Sequence, residues 1–163
     1  MDKIYFAALR EGARIPTKRD EDAGYDIYAC FEEAYFRFEP FETKIVPSGI
    51  ISAFPEEYVA ILKERGSTGT RGIGQRAGVI DSGYRGEWLI SMTNHNDRPL
   101  VIAKAEYAAA QDLSDCVVYP YEKAICQALF IPLAQLDAQA VDAETILAIP
   151  SARGTGRLGS SGK

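Results

Sequence analysis

A carboxylate in a glycine-bounded turn is the most pointed candidate for catalysis in this sequence. Asp81 follows the apolar pair Val79–Ile80 in the segment AGVIDSGYRGE, and Tyr84 stands three positions after it. An ionised carboxylate at the mouth of a hairpin can take a proton from a water molecule that attacks phosphorus. Aspartate also opens ordinary turns, so a purely structural role for Asp81 stays open at this point.

Two further segments combine glycine with positive charge, which suits phosphate binding. KERGSTGTRGI places Arg65 among glycines and hydroxyls, and a guanidinium with free backbone amides can hold phosphate oxygens. The alternative is a strand-to-helix connection that is capped by Ser67 or Thr68. RGTGRLGSSGK repeats the combination from Arg153 onward, and its alternative is a solvated basic tail. A flexible segment of this kind can close over a polyphosphate and exclude water.

The overall composition argues against several other functions. The net charge of −5 argues against binding to duplex nucleic acid or to membranes, whereas only basic charges follow Glu144. The three cysteines are widely spaced, which predicts reduced thiols in a cytoplasmic protein rather than disulfides or a zinc site. The first apolar run is too short for a secretory signal or a membrane span. The only histidine, His95, is predicted in a surface loop, which argues against Ser–His and Cys–His triads.

Short segments bounded by glycine, proline and aspartate predict an all-β domain over residues 1–150. Apolar residues alternate with others from Trp88 to Met92, as expected for a strand with one buried face. The alanine-rich segment 103–111 predicts a short helix, and residues 151–163 have too few apolar side chains to pack, which predicts a flexible C-terminal arm. The predicted strands are 4–9, 26–30, 35–38, 43–46, 49–54, 58–63, 87–93, 99–103 and 124–131.

Five segments, taken in order, resemble the five motifs of the trimeric deoxyuridine triphosphatase (dUTPase) family. They are AGYDIYA, KERGSTGTRGI, AGVIDSGYRGE, AICQALF and RGTGRLGSSGK, and they extend from Ala23 to Lys163. The resemblance implies a jelly-roll-like β barrel of the dUTPase (β-clip) type with one or two short helices. It also implies a homotrimer with shared active sites, in which the arm of one subunit closes over the active site of its neighbours. The implied reaction is hydrolysis of dUTP to dUMP and pyrophosphate, which keeps uracil out of DNA and supplies dUMP for thymidylate synthesis.

The same resemblance implies roles for individual residues. Asp81 would activate the water that attacks the α-phosphorus, and Tyr84 would pack against deoxyribose and leave no room for a 2′-hydroxyl. Asp26 would associate indirectly, through water, with the implied cofactor Mg²⁺. The other implied substrate contacts are Arg65, Gly66, Ser67, Thr68, Gly78, Val79, Ile80, Gln127, Arg153, Leu158, Gly159, Ser160 and Ser161.

Three positions depart from the family pattern. The second motif commonly has Arg-Ser-Gly or Arg-Ser-Ser, and here Arg65-Gly66-Ser67 moves the hydroxyl one position along. The fourth motif usually opens with Gly-Asp-Arg, and here Glu122-Lys123-Ala124 has no arginine. Leu158 stands where an aromatic ring typically stacks on uracil, so uracil binding is predicted to depend less on this position.

Two other functions remain possible for the same resemblance. A dCTP deaminase is built on the same fold, and a non-catalytic regulatory protein can keep a dUTPase-like shell. The GVIDSGYRG hairpin and the phosphate-closing arm favour the hydrolase over the deaminase. Asp81 and Tyr84 argue against the regulatory protein, whereas the departures at Gly66, Ala124 and Leu158 argue for it.

Overall fold

The structure is a computed structural model, and it describes residues 2–156. Within that range the chain forms mostly short strands, with three short helices, so the expected all-β class is confirmed. The strands are β1 (Tyr5–Ala8), β2 (Tyr25–Ile27), β3 (Tyr35–Phe38), β4 (Thr43–Pro47), β5 (Ile50–Ala53), β6 (Tyr58–Lys63), β7 (Ile73–Gln75), β8 (Val79–Ile80), β9 (Leu89–Asn94), β10 (Leu100–Ala103), β11 (Val117–Pro120) and β12 (Cys126–Pro132). The helices are α1 (Gly66–Gly69), α2 (Ala105–Ala110) and α3 (Ala143–Leu147).

The strands form four small sheets. The largest has the order β2-β12-β6-β8, and every pairing in it is antiparallel. The other sheets have the orders β4-β9-β7, β11-β10-β3 and β1-β5. The largest sheet carries Asp26, Gln127 and the two segments that follow β6 and β8, all of which belong to the predicted site.

Strand β9 follows its sequence pattern closely. Trp88, Ile90 and Met92 are buried, whereas Leu89 is 49% exposed, as period-2 alternation requires of a strand with one buried face. Thr93 is also buried, and its hydroxyl lies 2.6 Å from that of Thr43 on the paired strand β4. The sequence pattern therefore placed the strand and its inner face correctly.

The alanine-rich segment forms helix α2, as predicted, and it connects two parallel strands. Strand β10 pairs in parallel with β11 and antiparallel with β3. All four residues of β10 are buried, which is typical of a strand covered on both faces. Parallel neighbours need a crossover connection, and α2 provides one here. Strand β11 was not predicted from the sequence.

The chain divides after Leu133 into two compact units. The first contains all twelve strands of residues 2–156 and a core built around Phe38, Trp88 and Tyr119, each of which is fully buried. The second contains α3, whose N-cap Asp142 accepts a hydrogen bond from the Thr145 amide at 2.7 Å. Among the described residues, no helix is long and apolar enough to cross a membrane.

Candidate functional site

The loop after β6 holds Arg65 through a hydrogen-bonded turn. Arg65 is the N-cap of α1, and the Thr68 hydroxyl accepts a hydrogen bond from the Arg65 amide at 2.9 Å. The same hydroxyl donates to the Arg65 carbonyl at 3.1 Å. Thr68 is fully buried, so its side chain supports the backbone of Arg65 from inside. The cap is therefore Arg65 rather than Ser67 or Thr68, and the substrate contact expected of Thr68 stays a prediction.

The guanidinium of Arg65 is held on two sides. Its Nε lies 2.8 Å from Asp26 Oδ1, and its Nη2 donates to Asp26 Oδ2 at 3.2 Å. Its Nη1 donates to Ser67 Oγ at 3.3 Å. A guanidinium has five N–H donors, and these bonds use three of them, so within the described residues two remain for a ligand. Because both partners are fixed by the fold, Arg65 is oriented before any anion arrives.

Three strands bring distant parts of the sequence into one row. Gln127 on β12 pairs with Asp26 on β2 and with Lys63 on β6, two residues before Arg65. The Gln127 side chain donates from Nε2 to the Glu64 carbonyl at 2.8 Å. A Cβ at Gly24 would come within 2.5 Å of Gln127 Oε1, so the glycine makes room for this side chain. The sheet register thus explains why the first, second and fourth motif-like segments meet.

Glu64 connects the start of the loop that carries Arg65 to the neighbouring strand β7. Its Oε1 accepts a hydrogen bond from the Gln75 amide on β7 at 2.7 Å, and its Oε2 lies 3.2 Å from Lys63 Nζ. The hydrogen bond from the Gln75 amide is the main reason why the pKa of Glu64 lies below its usual value. The carboxylate therefore stays ionised in moderately acidic solution and keeps β6 and β7 joined beside the loop.

A polar cleft of about 460 Å³ lies beside Arg65. Its lining contains both signs of charge, with carboxylates beside guanidinium groups. The cleft includes Arg19, Glu21 and Asp22, which were not foreseen from the sequence. Arg19 and Asp22 pair with each other at 2.8 Å, and the charged run TKRDED before Ala23 was the available signal for them. The lining residues are Arg19, Glu21, Asp22, Ala23, Gly24, Asp26, Arg65, Gly66, Ser67 and Gln127.

The hairpin that carries Asp81 begins with two residues in left-handed backbone conformation. Ala77 and Gly78 have φ angles of 53° and 92°, and the Gly78 carbonyl accepts a hydrogen bond from the Leu62 amide at 2.7 Å. Ile80 then points into the core, while Val79 is 62% exposed and Asp81 is exposed. The turn closes with a hydrogen bond from the Tyr84 amide to the Asp81 carbonyl at 3.0 Å. The Asp81 carboxylate is therefore presented to solvent at a fixed turn.

The Tyr84 ring is also fixed to this hairpin. Its hydroxyl donates to the Glu87 carbonyl at 3.0 Å, and the side chain remains 43% exposed. Gly86 leaves space for the ring in this position, because a Cβ there would overlap the Tyr84 hydroxyl. Glu87 itself accepts a hydrogen bond from the Gly49 amide at 2.7 Å and forms an ion pair with Arg10. The hairpin thus exposes a carboxylate and an aromatic ring on a turn that hydrogen bonds hold in place.

The hairpin and the Arg65 cleft lie at opposite ends of β6 within one chain. Ile80 pairs with Ala60, which places Asp81 beside Val59, six residues before Arg65. At about 3.3 Å per residue, the two sites are roughly 20 Å apart along the strand. Within the described residues, Asp81 is accordingly not part of the cleft lining. One chain therefore contains two separate halves of the predicted site.

Arg153, the first predicted substrate contact in the arm, lies in the second unit and is exposed. Its amide donates to Ser151 Oγ at 3.3 Å, and its Nε donates to the Gly156 carbonyl at 3.2 Å. Leu158, Gly159, Ser160 and Ser161 lie outside the described residues.

Comparisons with known proteins identify the family of the chain. The profile of the dUTPase family matches residues 10–111. A deoxyuridine 5′-triphosphate nucleotidohydrolase from Photorhabdus laumondii is 30% identical over 167 residues, covering 99% of this chain and 95% of that protein.

Two solved structures share the fold. The Staphylococcus bacteriophage 80alpha dUTPase with dUPNHPP has a TM-score of 0.75 and 23% identity, covering 99% of both chains. A mutant dUTPase from phage phi11 of S. aureus, described with a structural Mg(II) ion, has a TM-score of 0.66 and 25% identity, covering 86% of this chain and 97% of that one. The family match covers more than half of the sequence, and the bacterial relative is similar over nearly its whole length. The chain belongs to the dUTPase family.

Proposed function

We propose that this enzyme hydrolyses dUTP to dUMP and pyrophosphate with Asp81 as the general base. The observation that carries the proposal is the pre-oriented guanidinium of Arg65 in a polar cleft, in a dUTPase family member that also presents an exposed Asp81 on a braced hairpin. The reaction would remove dUTP from the pool available for DNA synthesis and supply dUMP.

The chemical step needs little covalent participation from the protein. The Asp81 carboxylate accepts a proton from a water molecule, and the water oxygen forms a bond to the α-phosphorus. The bond from that phosphorus to the bridging oxygen of the β-phosphate breaks, and pyrophosphate leaves with the oxygen and its electron pair. Arg65, Ser67 and Gln127 contribute by holding phosphate oxygens in line and offsetting their negative charge.

Magnesium is the cofactor of this reaction, and Asp26 is the residue that fits it. Both oxygens of Asp26 already bind Arg65, so a contact through water preserves the ion pair whereas direct ligation would compete with it. Among the described residues, no group of three side chains forms a metal site. These residues suit an ion that is held mainly by the triphosphate, as Mg²⁺ commonly is. Bound there, Mg²⁺ would neutralise phosphate charge.

The two halves of the site are proposed to meet between subunits of a homotrimer. A general base must lie within hydrogen-bonding reach of the attacking water, and Arg65 must contact the same nucleotide. A separation of roughly 20 Å along β6 does not satisfy both needs within one chain. In the proposed trimer, the Asp81 hairpin of one copy therefore faces the Arg65 cleft of another, and the two form one shared site. The free cysteines among the described residues support a cytoplasmic location for the assembly.

The arm is proposed to start after residue 150 and to close over the site of a neighbouring subunit. Its basic residues, with Arg153 first, suit the triphosphate, and closure would exclude water other than the nucleophile. In this proposal Leu158 covers the base, and Gly159, Ser160 and Ser161 contact the phosphates.

Truncation before Arg153 is expected to leave the fold and the oligomer intact while most dUTP hydrolysis is lost. The reason is that the strands of residues 2–133 form their own unit, whereas site closure depends on the removed segment. Thermal unfolding, light scattering and steady-state turnover would measure the three properties. An unaltered rate would refute the closing arm.

A pyrophosphate-release assay with dUTP, UTP, dTTP and dCTP tests the proposed function. We expect dUMP and pyrophosphate from dUTP, with kcat/KM for UTP roughly 100-fold lower because the Tyr84 ring excludes the extra hydroxyl. Ammonia release from dCTP would identify a deaminase instead. Binding of dUTP without turnover would identify the non-catalytic alternative.

A further inference from the structure

A buried tyrosine lies directly beneath the phosphate-binding loop. Tyr119 on β11 has no exposed surface, and its hydroxyl donates to the Ala124 carbonyl at 2.7 Å. The same hydroxyl lies 3.3 Å from Ser67 Oγ. Arg71, near the far end of the loop, has its guanidinium carbon 5.7 Å from the centre of the Tyr119 ring. One side chain thus contacts both ends of the segment from Ser67 to Arg71.

The chemistry of the three partners fixes the direction of these hydrogen bonds. A carbonyl only accepts, so the hydrogen of the Tyr119 hydroxyl points to Ala124. Tyr119 can then only accept from Ser67, which must donate its own hydrogen. The Ser67 oxygen in turn accepts from Arg65 Nη1 at 3.3 Å. Hydrogen bonds therefore run in a single direction from the guanidinium to the core.

The two hydrogen bonds of the Tyr119 hydroxyl differ in length. A hydroxyl–hydroxyl bond is ordinarily about 2.7–2.8 Å long, so the Ser67–Tyr119 contact is weak compared with the Tyr119–Ala124 bond. While the Ser67 hydrogen points to Tyr119, the lone pairs of the Ser67 oxygen stay available to accept from Arg65. Tyr119 thus defines where the Ser67 oxygen lies and which way its hydrogen points.

Tyr119 also stands where this chain departs from its family. The fourth motif usually carries arginine at the position of Ala124, and the shift to Arg65-Gly66-Ser67 moves the hydroxyl of the second motif by one residue. Of these two departures, the shifted hydroxyl of Ser67 is the one that Tyr119 contacts by its side chain, whereas the contact with Ala124 is to the backbone carbonyl. Tyr119 lies outside the segment 10–111 that matches the family profile.

We propose that Tyr119 is a positioning residue, which sets the Ser67 hydroxyl and through it the Arg65 guanidinium for contact with the phosphates of the nucleotide. The proposal rests on the proposed function, because it assumes that Ser67 and Arg65 bind phosphate. It assigns to Tyr119 no contact with the substrate. Its effect is on affinity for the phosphates rather than on the chemical step at Asp81.

The test is a double-mutant cycle between Tyr119→Phe and Ser67→Ala in the full-length enzyme. Phenylalanine keeps the buried ring and removes only the hydroxyl. We expect each single variant to raise the KM for dUTP about fivefold with kcat nearly unchanged, since each removes one hydrogen-bonding partner. The double variant should be no worse than Ser67→Ala alone, because Tyr119 acts through Ser67.

Tyr121→Phe is the matched control. This neighbouring tyrosine packs on Phe31 at 4.8 Å between ring centres, away from Ser67, so its loss should leave the KM unchanged. If Tyr119→Phe raises the KM by the same factor in the wild-type enzyme and in Ser67→Ala, the proposal is overturned, because the effect of Tyr119 then does not depend on Ser67. A normal KM in Tyr119→Phe with a raised KM in Ser67→Ala would overturn it while leaving the proposed function intact. A normal KM in Ser67→Ala would remove Ser67 from phosphate binding and the proposal with it.

A second measurement needs no variant at Tyr119. In enzyme labelled with ¹³Cζ-tyrosine, the resonance of Tyr119 is expected to shift when a non-hydrolysable dUTP analogue binds Arg65 and changes the hydrogen bond from Ser67 to Tyr119. The shift should disappear in Ser67→Ala. A Tyr119 resonance that the analogue leaves unmoved in the wild-type enzyme would overturn the proposal.

Discussion

Asp81→Asn is expected to lower kcat for dUTP by roughly 10²- to 10⁴-fold, the usual contribution of a positioned general base. Asparagine has nearly the same shape as aspartate but does not accept the proton of the attacking water. The turn should survive, because its closing hydrogen bond uses the Asp81 backbone carbonyl rather than the side chain. The KM should change little, since the carboxylate acts on water and not on the nucleotide. Steady-state pyrophosphate release measures both constants.

Asp115→Asn provides the matched control for this change. Asp115 is exposed in the turn before β11, and its replacement removes the same negative charge from the surface. Its kcat should equal that of the wild-type enzyme. Near-normal turnover by Asp81→Asn would remove Asp81 from the mechanism, whereas a large rise in KM would reassign it to substrate binding.

Two inactive variants are expected to restore activity when they assemble together. Asp81→Asn lacks the base and Arg65→Ala lacks the phosphate contact, so each homotrimer should be nearly inactive. If each site takes Asp81 from one copy and Arg65 from another, random mixed trimers should regain about one quarter of the wild-type activity. Co-refolding an equal mixture and measuring dUTP turnover gives the result directly.

The control for complementation is the double variant Asp81→Asn/Arg65→Ala mixed with Asp81→Asn. No site in that mixture has an intact Asp81, so no activity should return. Failure of the first mixture to regain activity, with mixed trimers verified by mass spectrometry, would mean that both residues serve sites within one chain. That result would contradict the shared-site proposal and would require the hairpin to move toward the cleft.

Local patterns in the sequence predicted much of the fold. Strand β9 was visible because its alternation leaves Trp88, Ile90 and Met92 on one buried face, and α2 was visible because alanine is the best helix former. Strand β7, with the sequence IGQ, and strand β11, with VVYP, were not visible. Strand β7 has only three residues, too few to establish a period, and the residues of β11 do not alternate between apolar and polar.

The candidate site was predictable to the extent that its chemistry lies in short motifs. Arg65 was identified beside glycines and hydroxyls, and the structure adds that Asp26 orients it. The pairing of residues 26 and 65 depends on the register of three strands, which no local pattern contains. In the sequence, Arg19 looks like any other residue of a solvated charged segment. Only the structure shows that it lines the cleft. Tyr119 was indistinguishable from other core aromatics.

The row of Asp26, Gln127 and Lys63 across three strands also has a kinetic consequence. The contacts that shape the cleft join residues 39, 52 and 63 positions apart, so each closes a long loop of chain. Such contacts form late in folding, because the entropy of loop closure must be overcome first. A nascent chain on the ribosome therefore has no polar cleft beside Arg65 until β12 has emerged and paired. In the proposed function, a nucleotide bound there would oppose global unfolding by mass action, since it would bind only folded protein.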